Sequence, residues 1–113
     1  MTKVKVFAGA CGFTSVIKAQ SWGPTTVKVG IVSACKMLRG MNEDLGLMDW
    51  TKGIFNKVTE SVIYRSAGEH LKHTDCPVPC AIIKAIQVEI GAAVPKNVEI
   101  KIEKFNNDPD NVE

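Results

Sequence analysis

The chain reads as an α+β protein: a two-layer sandwich ordered βββ-α-(α)-α-β, with a mostly antiparallel sheet and helices packed on one face. Three observations carry that reading. Residues 3–33 alternate apolar and polar side chains between short breaks, residues 33–91 carry apolar side chains at three- and four-residue intervals, and residues 97–105 return to strict alternation. A two-residue period gives a sheet one apolar face and a helical period gives a helix one apolar stripe, so each layer buries the other.

The first strand, 3–9, sets Lys3 and Lys5 against Val4 and Val6 and is closed by the Gly9–Gly12 stretch GACG. A second strand covers 13–20, and SWGP at 21–24 supplies the next turn. The third, TTVKVGIVS at 25–33, is rich in β-branched residues, so short links make the three a meander. Helical spacing then takes over at 33–46 through Met37, Leu38, Met41 and Leu45, with Ser33 as the cap, Gly46 as the stop and Gly40 as a weak point inside. Residues 49–57 read as a helical turn or irregular chain. A second helix runs from Glu60 to Leu71 with Val62, Ile63, Ala67 and Leu71 inward, and a third covers 79–91 with Ile82, Ile83, Ile86 and Ile90 on one face. Pro95 stops that helix, and Val98, Ile100 and Ile102 alternate with Glu99, Lys101 and Glu103 in a last strand, 97–105. One domain over 1–105 and a flexible tail over 106–113, where little can be buried, complete the organisation.

Composition narrows the function classes. The net charge is only +2, with basic residues scattered, which gives a nucleic-acid backbone nothing to follow. No apolar run reaches the roughly 20 residues that span a bilayer. The sequence points to no nucleic acid and no membrane, leaves a protein partner and the oligomeric state open, and places the chain in the cytoplasm, where its four cysteines are thiols or ligands rather than bridges. No acid–base set is assembled in the sequence, so no reaction is assigned.

The cysteines are the chemistry-bearing feature. Cys76 and Cys80 bracket two prolines in TDCPVPC at 74–80, directly before the third helix. Proline fits the first helical position because its missing N–H is no loss there, and the corner is rigid as built. Cys11 follows the first strand and Cys35 follows the third. If the last strand runs parallel to those two, the third helix starts at the same sheet edge, and the thiols meet beside helix N-termini that favour negative charge. The expectation is a cysteine-ligated metal centre, zinc or an iron or iron–sulfur group, with ligands drawn from Cys11, Cys35, Cys76, Cys80 and His73. Two alternatives stand beside it. Cys76 acts without a metal, as a nucleophile or sulfur carrier activated at the helix start. Or the cysteines are small core and corner residues in a structural or partner-binding module. His70 has a sufficient structural use at a helix C-terminus, and Glu60, Glu69 and Asp75 read as solvated or capping residues.

Two resemblances bear on this. Cys76-Pro77-Val78-Pro79, followed by an apolar helix, resembles the Cys-Pro-x-Pro motif of TusA-type sulfur-carrier proteins, which implies a persulfide carried on Cys76. The match covers about a dozen residues, and in that family the motif precedes the first helix of a βαβαββ fold. Across most of its length the chain is similar to a family of small uncharacterised prokaryotic proteins, through CGFT at Cys11–Thr14, the His70–Pro79 region and Lys84–Lys96. That likeness implies family membership and no mechanism.

Overall fold

A computed structural model describes residues 1–106. The element order is β1 (Thr2–Phe7), β2 (Thr14–Ser21), β3 (Thr26–Ser33), α1 (Lys36–Met41), β4 (Gly46–Asp49), α2 (Val62–His70) and α3 (Val78–Glu89). The four strands form one antiparallel sheet in the order β1-β2-β3-β4, with the helices on one face. This is the α+β sandwich expected from the periodicities.

Register makes the apolar face continuous. Ile17 pairs with Val4 on one side and Ile31 on the other, and Ala19 pairs with Val29. All five point inward, and Ile17, Ala19, Val29 and Ile31 are buried. The opposite face carries Lys3, Lys5, Lys18 and Lys28, all exposed. Ile82, Ala85 and Ile86 of α3 press onto the inner face without any exposure, and Leu38, Met41, Ile63 and Ala67 continue one cluster across α1 and α2. Full burial of each isoleucine contributes about 1.5–3 kcal/mol, more than its few tenths of helix-propensity cost, which is why so isoleucine-rich a segment is helical.

Side chains complete what the backbone leaves open. The Asn42 amide lies against β3 just past the end of the β4 ladder: its Oδ1 accepts the Ile31 N–H at 2.8 Å and its Nδ2 donates to the Ile31 carbonyl at 2.9 Å. One side chain thus continues the ladder by a residue pair. Glu89, at the end of α3, accepts Thr2 Oγ1 at 2.8 Å and the Ser21 N–H at 2.7 Å, tying the helix terminus to the start of β1 and the end of β2. The backbone hydrogen bond from Ser21 is the main reason its carboxyl lies below its ordinary value.

Two elements differ from expectation. The first helix is shorter than 33–46, because Asn42 turns back to β3 and Gly46, at φ +93°, starts β4 instead of merely ending a helix. The last strand expected at 97–105 is not part of the sheet; the chain beyond α3 is extended and exposed, with Ile100 at 73% and Ile102 at 90% exposure. Alternation encodes a strand's faces but supplies no neighbour, and β4 provides the fourth strand. The radius of gyration, 15.6 Å, exceeds the roughly 13 Å of a compact chain of this length because of that projecting segment. Of the expected tail, all but Asn106 lies outside the described residues.

Candidate functional site

Glu89 anchors the C-terminus of α3 beside Thr2, so α3 runs antiparallel to β1 and begins where β1 ends. The diproline corner therefore arrives at the turn after β1 and at the start of α1. Cys11, Cys35 and Cys76 line one cavity there, with Phe13, Leu38 and His73 among their neighbours. Its lining is mainly apolar and its volume is about 90 Å³, well below the several hundred that hold a cofactor-sized ligand.

These residues do not make a metal centre. Among the described residues no three ligand atoms drawn from Cys11, Cys35, Cys76, Cys80 and His73 come within ligand spacing of one another, and Cys80 is exposed outside the cavity. The cysteine-ligated zinc or iron–sulfur centre is thereby corrected. The three cysteines share a mainly apolar cavity with Phe13 and Leu38, and Cys80 is exposed, so chain direction brings their segments together without bringing the sulfurs to ligand spacing. The Cys76 sulfur does accept the backbone N–H of Val78, as a thiol at a helix start should. Burial outweighs that bond and pushes the Cys76 thiol above its ordinary value, and the neighbouring Cys11 and Cys35 act in the same direction. The helix start thus holds a protonated thiol rather than the expected thiolate. Pro77, not Cys76, occupies the cap position, with α3 starting at Val78.

The ligand cluster lies elsewhere, between α1 and α2. Asp44 sits in the turn after α1, where its N–H bonds to the Met41 carbonyl, and Glu69 and His70 are the last two residues of α2. One ligand atom from each of Asp44, Glu69 and His70 lies within 4.8 Å of the others. Asp44 Oδ2 accepts Ser66 Oγ at 2.7 Å and the His70 Nε2–H at 2.9 Å. Those two hydrogen bonds, Ser66 first, hold the Asp44 carboxyl below its ordinary value. Arg65 and Glu69 line the same shallow depression.

Gly40 is part of this arrangement. A Cβ on Gly40 would stand 2.8 Å from His70 Nδ1, so the bare helix surface is the bed on which the imidazole lies. The glycine that weakens α1 by propensity is thus accounted for by the ring it accommodates. A neutral imidazole and two carboxylates suit zinc and its first-row neighbours better than calcium or magnesium, which favour all-oxygen shells. Sequence reasoning left Asp44 unmentioned and read Glu69 as solvated, because neither spacing nor composition links a turn at 44 to a helix end at 69–70. A histidine in the last turn opposite a glycine-bearing helix was the only legible hint.

Among the described residues no helix is long and apolar enough to cross a membrane. The resemblance to sulfur carriers stays local to the Cys76–Pro79 motif and the start of the helix after it, and no curated protein and no solved structure matches the chain. Residues 2–102 match the profile of a family of unknown function, DUF6951, and the chain belongs to that family.

Proposed function

We propose that the protein binds a divalent transition metal, zinc foremost, through Asp44, Glu69 and His70. The observation that carries this reading is the mutual approach of one nitrogen and two carboxylate ligand atoms to within 4.8 Å. Zinc takes nitrogen and oxygen ligands at about 2.0–2.2 Å, so tetrahedral ligands stand roughly 3.3 Å apart. The 2.9 Å between His70 Nε2 and Asp44 Oδ2 is near that separation, and the proton they share occupies the place of the cation. Metal binding displaces that proton, while Ser66 keeps its bond to the carboxylate and orients it. Glu69 is exposed and swings in as the third ligand. Three protein ligands leave a fourth position to water or to a substrate oxygen. Arg65, in the same depression, opposes the cation by its charge. Four free thiols support a reducing, cytoplasmic setting.

The test is a zinc titration by calorimetry on protein whose cysteines have been alkylated. One equivalent binds, Asp44→Asn and His70→Ala each weaken it by about tenfold or more, and Arg65→Ala tightens it. Alkylated protein that takes up no zinc, or variants that bind as well as the parent, would end the proposal. Cobalt substitution adds a spectroscopic check, since ligation by oxygen and nitrogen gives no thiolate charge-transfer band.

A further inference from the structure

Among the described residues, the segment after α3 alternates like a strand but joins no sheet, and β1 is a sheet edge without a neighbour. Residues 97–105 alternate Val98, Ile100 and Ile102 with Glu99, Lys101 and Glu103, yet the whole stretch is exposed and makes no ladder. Such a row of exposed isoleucines is unfavourable in water, and its backbone groups are free to pair. Among the described residues β1 bonds only to β2, which leaves one row of its N–H and C=O groups open there. Val4 and Val6 on its inward face are only half-buried, although they pack against the core.

The two fit each other in side chain and in charge. In a parallel register that sets Val98 beside Val4 and Ile100 beside Val6, the arm extends the apolar face. Glu99 then stands beside Lys5, on a sheet face that also carries Lys3 and Lys18, while Lys101 falls beside Phe7, clear of the β1 lysines. Opposite charges across neighbouring strands stabilise a sheet and like charges destabilise it. The same rule disfavours direct pairing of two β1 edges, which would face Lys3 and Lys5 with their own copies. The arm leaves α3 at the Thr2 end of β1 and projects away from its own domain, giving a longest dimension of 54 Å against 30 and 24 Å. Pro95, in the linker, stiffens it in an extended form.

We propose that residues 97–105 add as a fifth strand to the β1 edge of a second copy of this chain, and that reciprocal exchange of the two arms closes a dimer. Closure by a two-fold satisfies both arms and both edges at once, as exchanged elements do in symmetric pairs. The occupant is a second copy because the complementary acidic, alternating strand is this chain's own.

Charge reversal tests the exchange on full-length protein. The parent sediments as a dimer of the 12.3 kDa chain. Ile100→Asp, which lies outside the core, raises the dimer dissociation constant by about tenfold or more with an unchanged circular dichroism spectrum. The pair Lys3→Glu with Lys5→Glu gives a monomer, and so does the pair Glu99→Lys with Glu103→Lys. An equimolar mixture of these two variants recovers a heterodimer, since each arm then meets an edge of opposite sign. A monomeric parent overturns the proposal, whether its arm amides exchange freely or are protected by folding back on their own sheet. A dimer indifferent to Ile100→Asp, open assemblies larger than two, or a mixture that fails to pair overturns it as well.

Discussion

Asn42→Ala removes one side chain at the C-terminal end of α1 and leaves two backbone groups of β3 without partners. In the parent the Ile31 N–H and C=O are satisfied by the Asn42 amide at 2.8 and 2.9 Å, and Ile31 itself is 5% exposed. A net hydrogen bond contributes about 0.5–1.5 kcal/mol, and a buried group left unsatisfied costs about 1–3 kcal/mol. Water reaches the rim of this site, because Asn42 is itself exposed, so the loss is about 2 kcal/mol rather than the sum of both maxima. At the entropy of unfolding expected for 113 residues, that is a fall in Tm of about 8 °C. Asn42→Asp separates the two bonds. Its carboxylate still accepts the Ile31 N–H but faces the Ile31 carbonyl as a second acceptor, so it recovers part of the loss at most. Urea melts of the three proteins, with amide exchange at Ile31, make the measurement. An Asn42→Ala protein within about 0.5 kcal/mol of the parent would mean that this side chain is not the ladder's continuation.

Four other outcomes follow from the same geometry. Ile82→Ala destabilises by about 2–5 kcal/mol because the side chain is wholly enclosed, whereas Ile102→Ala, at 90% exposure, leaves the melting of dilute protein within about 0.5 kcal/mol of the parent; equal effects would place residue 102 in the core. Gly40→Ala gains about 1 kcal/mol of helix propensity, yet its Cβ at 2.8 Å displaces the His70 ring, so zinc binding weakens while the melt moves little; an unchanged zinc affinity refutes the role given to Gly40. Iodoacetamide at mildly alkaline pH labels exposed Cys11 and Cys80 before Cys76, whose thiol burial pushes up; peptide mapping that finds Cys76 first would restore a reactive thiol at the helix start. Glu89 has a folded pKa below the ordinary 4.5, so its stabilisation is complete above 4.5 and is lost as pH falls through the folded value. Glu89→Gln should therefore flatten the stability profile below 4.5 and leave its shape above that unchanged.

The family match over residues 2–102 takes in every element of the sheet, all three helices and the Asp44, Glu69 and His70 cluster. It also takes in Val98, Ile100 and Ile102, the apolar row of the arm. The two proposals use different surfaces, the α1–α2 side and the β1 edge, so each set of variants reports on one of them. A metal-free protein that still exchanges arms, or a monomer that still binds zinc, separates them cleanly.

The sequence by itself determined the elements whose partners are near in the chain. Alternation at Val4, Ile17 and Val29 placed three strands with the correct faces, and the spacing of Ile63, Ile82 and Ile86 placed two helices with theirs, because an element's inward face is a local property of its own period. Meander direction also brought the regions of Cys11 and Cys35 to one end of the sheet; Cys76 joins them there, although the parallel last strand that its expected place rested on is not in the sheet. Tertiary structure decided the rest. Whether thiols that share a cavity reach ligand distance depends on how their side chains pack there, and Cys11, Cys35 and Cys76 share it without forming a ligand cluster. The fourth strand is β4 and not 97–105, since periodicity marks the two faces of a strand and is silent about which edge it joins. The Asp44–His70 contact joins residues 26 apart through the crossing of α1 and α2, an angle and a depth that no pattern along one chain records.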